Sequence, residues 1–369
     1  MKTDVCDMFG IDVPIFAFTH CRNVAAAVSQ AGGMGVFGAV TYTPEELEIE
    51  LKWLDENCGG KPYGVDVVMA DSRVEGTFAE IAAKIPQSYR DWELEVERRI
   101  GIPPLRDNAP KASGLYQNME LRSTHGWARP QLDVIFRHKA AFVVSALGPA
   151  PADVVARARA LGMKVGGLAG SARHAQKHIE AGADVLVAAG VEGAGHNSDV
   201  STMVLVPEVV DAAAGRVPVL AGGGIGNGRQ IAAAQTLGAQ GVWMGSVWLT
   251  SVESDMDEKS IELMLKATSR DTIRTKAYTG KPTRFLNSPF FETWEAPDAP
   301  EPLPTPLQRM LVSETFHKAQ AAGKNELLAV PVGQVVGQMN QRRRCRDIMY
   351  DLQVEWADAM ARMATLTGE

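Results

Sequence analysis

The chain has 369 residues, 46% of them hydrophobic, and a formal net charge of −7. This length allows a large buried core, and the acidic balance argues against a nucleic-acid-binding protein, which presents a basic face. The N-terminus lacks the basic and then apolar pattern of a signal peptide, and no apolar run approaches the roughly 18 residues of a membrane span, so we expect a soluble, cytoplasmic protein.

Short apolar runs alternate with helical stretches along most of the chain. Eight of these runs are predicted as strands, at 13–18, 35–40, 63–69 and near positions 143, 166, 186, 219 and 243. A helix is predicted to begin after Thr43, because Pro44 suits its first position and Glu46 completes a capping box. The alternation is interrupted at about 70–138, which we interpret as a long, partly helical insertion after the third strand.

The eight strands predict the fold. Their runs are continuously apolar, as expected for parallel strands covered on both faces, and eight βα units indicate an α/β protein built as a (β/α)8 TIM barrel over 1–255. An open doubly wound sheet would normally show a Gly-x-Gly-x-x-Gly turn after its first strand, whereas residues 19–22 read Thr-His-Cys-Arg. We expect a smaller cap unit at 256–344 over the barrel mouth, and a final helix at 345–369 that packs back on the barrel.

A glycine cluster follows the seventh predicted strand. Residues 222–228 read Gly-Gly-Gly-Ile-Gly-Asn-Gly, and Gly245-Ser246 end the eighth strand. Glycines allow a phosphate to approach backbone N–H groups closely, and the next helix adds a favourable dipole. A tight turn that needs positive φ would require only one glycine. Because phosphate sites in such barrels lie in these two loops, the cluster predicts one here.

The loop after the sixth predicted strand carries a histidine. Residues 189–197 read Ala-Gly-Val-Glu-Gly-Ala-Gly-His-Asn, so His196 lies at the carboxyl end of a barrel strand, where catalytic groups are found. Histidine exchanges a proton near neutral pH, which suits an acid–base role. The alternative is a loop histidine bonded to a neighbouring carbonyl group.

This loop is similar to the Gly-x-Glu-Ala-Gly-Gly-His signature of the nitronate monooxygenase family, formerly called 2-nitropropane dioxygenases. The stretches at 11–39, 221–246 and 279–286 also resemble that family. The resemblance implies a flavin-dependent enzyme that binds FMN non-covalently at the mouth of the barrel, under a second domain. It further implies oxidation of alkyl nitronates with O2 to a carbonyl compound and nitrite.

The resemblance assigns roles by position. It implies that His196 is the catalytic residue, which manages a proton of the substrate, and that Gly223, Gly224, Gly245 and Ser246 hold the FMN phosphate. The positions implied for cofactor contact, with the phosphate residues included, are Ala17, Phe18, Thr19, Asp66, Ala189, Gly190, Ala194, Gly195, Gly223, Gly224, Trp243, Met244, Gly245 and Ser246.

The chain departs from the family pattern around the flavin ring. Residues 17–20 read Ala-Phe-Thr-His in place of Gln-Ala-Pro-Met, Asp66 replaces an asparagine, and Ala189 replaces a glutamine. Two amide side chains that tune the flavin are therefore absent. A carboxylate at 66 would accept a hydrogen bond from the ring or disfavour a negatively charged reduced flavin. His20 is a second candidate acid–base group, with a structural role as its alternative.

Two other functions stay open. The first is an FMN enzyme of the enoyl-reductase type that acts on a CoA- or carrier-bound unsaturated acid, an acyl thioester. Four basic residues in the insertion suit such an anionic substrate: Arg98, Arg99, Arg106 and Lys111. The second is a non-redox sugar-phosphate barrel, which is disfavoured because Lys164, the lysine found in a core strand, lies at a strand start. A homodimer is left open.

The remaining signals are weak. Tyr278, Lys281 and Arg284 lie in a polar loop expected over the mouth, either contacting an anionic substrate or forming surface charge. His174 and His178 have a spacing that zinc uses on a helix, but we expect a solvated outer face instead. The four cysteines are scattered without a Cys-x-x-Cys pair, which fits a reducing compartment and predicts no metal site.

Overall fold

The computed structural model describes residues 1–69, 77–106, 109 and 125–367. The predicted insertion at 70–138 therefore lies partly outside the described residues, as do the last two residues of the predicted final helix. Among the described residues, none of the helices combines the length and apolar character that crossing a bilayer requires.

Eight parallel strands close into a barrel, which confirms the predicted TIM barrel. The strands of the chain are β1 (Ile15–Thr19), β2 (Met34–Gly38), β3 (Tyr63–Val68), β4 (Phe142–Ala146), β5 (Lys164–Ala169), β6 (Val185–Ala189), β7 (Gly195–His196), β8 (Val219–Gly222), β9 (Gly241–Met244), β10 (Thr272–Thr275) and β11 (Thr283–Leu286). Around the barrel the order is β1-β2-β3-β4-β5-β6-β8-β9, and β9 pairs with β1 to close the ring. A small antiparallel sheet joins β10, β11 and β7.

Helices surround the barrel and build the smaller unit beside it. They are α1 (Asp4–Phe9), α2 (Arg22–Gln30), α3 (Pro44–Asn57), α4 (Phe78–Ala82), α5 (Gln87–Ile100), α6 (His125–Ile135), α7 (Ala152–Ala160), α8 (Ala172–Glu180), α9 (Thr202–Ala213), α10 (Gly228–Thr236), α11 (Glu258–Lys266), α12 (Pro289–Trp294), α13 (Leu307–Ala321) and α14 (Cys345–Thr367). The predicted capping box at α3 is confirmed, because Thr43 and Glu46 exchange side chain and backbone hydrogen bonds.

Alternating side chains divide each barrel strand into an inner and an outer face. The inner face packs large apolar residues against one another, among them Phe16, Val36, Phe142, Val187 and Leu220. The outer face packs against the surrounding helices in two further clusters. This division decides which predicted site residues point into the barrel.

One prediction for the outer wall is wrong. His178 on α8 is not on a solvated face: it is 3% exposed, and its Nε2 atom lies 3.0 Å from the backbone oxygen of Leu168. Room for the ring comes from Gly167, where a Cβ would lie 2.0 Å from the histidine. His174, one turn earlier, is exposed as predicted. The two histidines therefore do not share one solvated face.

The smaller unit, which we call the cap, contains α11 to α13 with β10 and β11. Its apolar core takes in residues of the insertion, including Val96 of α5. Trp92 of α5 lies edge-on to Trp294 of α12, with ring centroids 6.1 Å apart. Lys318 of α13 forms an ion pair with Glu97 of α5 at 3.0 Å. The insertion helix thus packs on the cap, a contact that no pattern in the sequence predicts.

Helix α14 lies along the barrel wall beside α10 and α2. Met349 and Leu352 enter the outer core. At the start of α10, the Gly228 N–H donates to the Glu355 carboxylate at 2.7 Å. The next residue of α14, Trp356, donates from Nε1–H to Gln235 near the end of α10 at 2.6 Å. These contacts fix the helix that follows the glycine cluster.

Candidate active site

The carboxyl ends of the barrel strands meet at one end of the barrel, which we call the mouth. In such barrels the groups that carry out chemistry come from loops at this end. The loop after β6 runs to His196, which pairs with Thr283 of β11 in the small antiparallel sheet. The cap therefore lies directly against the loop that carries the predicted catalytic histidine.

The His196 ring contacts a threonine of the cap. Its Nε2 atom lies 3.0 Å from Oγ1 of Thr279. Part of the His196 side chain is exposed, but the surrounding protein removes water from the charged form of the ring. This loss of hydration, with a smaller effect of the Lys281 cation, lowers the pKa of His196 to about 4. His196 is therefore neutral near pH 7, with one ring nitrogen available to accept a proton.

The surroundings of Thr279 indicate which nitrogen that is. The Thr279 hydroxyl lies 3.1 Å from the backbone oxygen of Lys281 and 3.1 Å from the hydroxyl of Thr283. When the single hydroxyl proton goes to either of these partners, Thr279 accepts a hydrogen bond from His196 Nε2–H. In this arrangement the lone pair of the imidazole is on Nδ1.

Two cap arginines and an asparagine hold the histidine loop in place. The Asn197 side chain donates to the backbone oxygen atoms of Gly193 at 2.7 Å and of Val191 at 3.2 Å. Its own oxygen accepts from Arg274 Nε at 2.9 Å, and Arg284 Nε donates to Val191 at 3.1 Å. The loop conformation thus depends on side chains from β10 and β11.

The glycine cluster after β8 is packed tightly against the histidine loop. Gly223 has a φ of +91°, and a Cβ there would lie 2.8 Å from the backbone oxygen of Gly190 and 3.0 Å from Oγ1 of Thr202. Gly224 also has positive φ, and its neighbour is the side chain of Glu192. From the sequence, these glycines are interpreted as a site of phosphate approach, with a tight turn requiring only one of them. At Gly223 backbone conformation and close packing are sufficient reasons by themselves.

The loop after β9 leaves more room. A Cβ at Gly245 would meet nothing nearer than Phe18 at 3.8 Å, and the φ of −113° suits any residue. Ser246 begins a short 3-10 helix that ends at Trp248. Its Oγ accepts a hydrogen bond from the Gly333 N–H at 2.8 Å, so the hydroxyl proton is still available to donate. Space and donors are therefore present together at this loop.

Aromatic rings line the side of the mouth formed by β9 and β1. Phe18 stacks on Trp243 with ring centroids 5.7 Å apart and an angle of 21° between the planes. His20 meets Phe18 edge-on at 5.2 Å, and its Nδ1–H donates to the backbone oxygen of Gly38 at 2.9 Å. Burial lowers the pKa of His20, against a smaller opposing effect of the Gly38 oxygen. A Cβ at Gly38 would lie 2.5 Å from this ring.

Not every predicted contact residue points into the mouth. Ala17 and Met244 belong to the outer core, and Thr19 accepts a hydrogen bond from the Cys21 N–H at 3.0 Å. Contacts of these three residues with a molecule in the mouth would come from their backbone. Asp66 and Ala189, by contrast, alternate with outward-facing neighbours and lie on the inner face. Gly190, Ala194 and Gly195 lie in the histidine loop.

Only part of the polar loop of the cap is exposed to solvent. Lys281 is exposed beside His196, but Tyr278 lies in the cap core against Phe285, and Arg284 is buried. The interpretation of Tyr278 and Arg284 as surface charge is therefore wrong, and contact of these residues with an anionic substrate stays a prediction.

The four basic residues of the insertion, which would suit an anionic substrate, differ in their surroundings. Arg98 pairs with Glu95, and Arg99 bridges Glu95 and Asp298. Arg106 is exposed, and Lys111 lies outside the described residues.

Comparison with known proteins identifies relatives along the whole chain. Residues 3–355 match the family model described as nitronate monooxygenase. A Mycobacterium tuberculosis protein named "Putative monooxygenase Rv1533" is 45% identical, with 99% of each chain covered. A Staphylococcus aureus protein named "Probable nitronate monooxygenase" is 28% identical over 90% of this chain and 91% of its own. The crystal structure of a nitroalkane oxidase from Streptomyces ansochromogenes superposes with a TM-score of 0.80 at 24% identity, covering 98% of this chain and 100% of that one. This last match supports the fold alone.

Proposed function

Because the chain belongs to the nitronate monooxygenase family, and is thus a flavin-dependent oxidoreductase, we propose that it binds FMN at the mouth and oxidises alkyl nitronates with O2. In the balanced reaction, two nitronates and one O2 give two carbonyl compounds and two nitrite ions. The FMN and the nitronate substrate are the parts of this statement that we propose.

The residues at the mouth fit FMN. Gly245 leaves a space that a side chain would fill, and the first N–H groups of the 3-10 helix at Ser246 have no acceptor within that helix. In our proposal Gly223, Gly224, Gly245 and Ser246 hold the phosphate, as in other barrels of this type. The stacked pair of Phe18 and Trp243 then offers an apolar surface to the flavin ring. When bound, FMN supplies the redox chemistry.

The observation that carries the proposal is the position of the His196 ring at the mouth, in contact with Thr279, where burial and the Lys281 cation lower its pKa to about 4. A neutral imidazole accepts the α-proton of a nitroalkane, which generates the nitronate, or donates a hydrogen bond to a nitronate oxygen. The exposed Lys281 cation lies close enough to influence His196 and attracts an anionic substrate to the same place. These roles need no residue outside the loop after β6 and the cap.

Two of the four basic residues that favoured the rival acyl-thioester function are engaged in ion pairs. Arg98 and Arg99 are occupied by ion pairs with Glu95 and Asp298, so they are not poised to bind a phosphorylated carrier. We therefore do not propose it.

The test combines a spectrum with a reaction. Purified protein mixed with FMN should show bound-flavin absorbance, and mixing with a secondary alkyl nitronate without oxygen should bleach it. His196→Asn should lower the rate of nitrite formation by roughly 10²–10⁴ while flavin stays bound. His174→Asn, on the exposed outer face of α8, is the matched control and should leave the rate unchanged. A flavin that nitronate fails to bleach would contradict the proposed substrate.

A further inference from the structure

Asp66 points into the barrel at the mouth. It is in register with Gly38 of β2 and Val144 of β4. Val144 lies on the inner face, and residues in register on neighbouring strands face the same way. Asp66 is 5% exposed, so most of its side chain is buried inside the ring of strands.

The carboxyl group has no protein partner among the described residues, where no hydrogen bond or ion pair of its side chain is found. A buried polar group without a partner is costly and rarely tolerated unless a ligand or a functional role accounts for it. Of its two neighbours in the sheet, Gly38 and Val144, neither is titratable. Among the described residues, the titratable groups on this side of the mouth include the His20 ring, which lies over Gly38, and Asp255, whose charge acts on His20. Burial alone raises the pKa of Asp66 to about 7.

We propose that Asp66 is a proton acceptor coupled to flavin reduction, taking up one proton when the bound cofactor receives two electrons. This inference rests on the proposed function, because it requires a flavin at the mouth. The electrons come from the nitronate during turnover, or from a chemical reductant such as dithionite in the test.

The charge balance explains the coupling. Two electrons and one proton leave the reduced flavin with one more negative charge than the oxidised form. A second negative charge beside a buried carboxylate is unfavourable where little water screens it. If the Asp66 carboxylate binds a proton in the same step, two electrons enter with two protons and the net charge of the site is unchanged. Above its pKa Asp66 is ionised before reduction, so coupling is expected on the alkaline side of neutrality.

The midpoint potential of the bound flavin reports the number of protons. For a two-electron couple, each coupled proton lowers the potential by about 30 mV per pH unit, the equivalent of a tenfold change in equilibrium constant. Between roughly pH 7 and 9, we expect a slope near 60 mV per unit in the parent protein and near 30 mV in Asp66→Asn. Equal slopes in the two proteins would overturn the inference.

Two further variants identify the group responsible. His20→Gln removes the neighbouring titratable ring and should keep the steep slope; if it loses the slope while Asp66→Asn keeps it, His20 is the acceptor and the inference is wrong. Glu93→Gln removes another buried carboxyl of raised pKa, located between α5 and the cap, and should also keep the slope.

A second measurement covers the case in which Asp66→Asn does not retain flavin. A redox-difference infrared spectrum of the parent protein should gain a protonated-carboxyl band on reduction, and its absence would overturn the inference. Failure of the proposed function looks different. A parent protein that binds no flavin has no potential to measure, and then both proposals fall.

Discussion

Glu93→Gln is expected to remove a loss of stability at high pH that arises where α5 packs on the cap. Glu93 is buried on α5, where it accepts hydrogen bonds from Trp294 Nε1–H at 3.2 Å and from the Thr315 hydroxyl. Burial is the main cause that raises its pKa to about 8; the neighbouring Glu97 acts in the same direction, and Lys318 opposes it. The carboxyl group is therefore protonated in the folded protein at neutral pH.

The sign and size of the effect follow from proton linkage. The ordinary pKa of glutamate is 4.5, so between this value and about 8 the folded protein holds a proton that the unfolded chain has lost. The free energy of unfolding must then fall as the pH rises through this window. At about 1.4 kcal/mol per pH unit, the loss reaches at most about 5 kcal/mol. Glutamine cannot ionise, so the variant escapes this loss.

Urea unfolding followed by tryptophan fluorescence tests the effect at about pH 5 and about pH 9. We expect Glu93→Gln to be less stable than the parent by about 1 kcal/mol at the lower pH, because its amide satisfies the two donors less well. At the higher pH it should be the more stable protein. Glu97→Gln is the comparison: it removes the ion pair with Lys318 but keeps the Glu93 carboxyl group, so it should still lose stability between the two pH values. The reasoning is refuted if the parent and Glu93→Gln lose the same stability between the two values.

Two further predictions concern the mouth. Lys281→Met should raise the pKa of His196 from about 4, because the lysine cation contributes to lowering it. The acid limb of the pH profile of kcat/KM should then move to higher pH. A limb that stays at the same pH would exclude an effect of Lys281 on His196. Gly245→Leu should weaken FMN binding by roughly tenfold or more in a fluorescence titration, about 1.4 kcal/mol, because its side chain would occupy the space beside Phe18. Unfolding of the flavin-free variant should match the parent, and unchanged FMN affinity would place the cofactor elsewhere.

The barrel is predictable from sequence because each of its strands and helices is marked by residues that are close together in the chain. Each strand is a short apolar run, and each following helix has its own start signal, such as the capping box at Thr43 and Glu46. The order of strands around the ring then follows from their order in the chain. The position of His196 at the mouth is predictable for the same reason, since it requires only the count of strands before it.

Contacts between distant parts of the chain are not visible in this way. The packing of α5 on the cap joins residues about 200 positions apart, such as Trp294 and Glu93, and no local pattern reports it. Thr279 and Gly333, which contact His196 and Ser246, are missed for the same reason, although Thr279 opens a stretch that resembles the family. The orientation of Ala17, Thr19 and Met244 also depends on the barrel register. In a strand covered on both sides, inward-facing and outward-facing positions are both mostly apolar, so the sequence does not show which way a residue points.

The placement of the two proton-binding groups suggests how the mouth divides its work. Asp66 is on β3 and His196 follows β6, three strands apart in a ring of eight, where four is the greatest separation. The arc between them on the other side carries Gly245 and the pair of Phe18 and Trp243, which present space and apolar surface. A flavin seated on that arc would have Asp66 and His196 on different sides. We therefore infer that the charge of the reduced cofactor and the proton of the substrate are managed by separate residues, one fixed in a barrel strand and the other held by the cap.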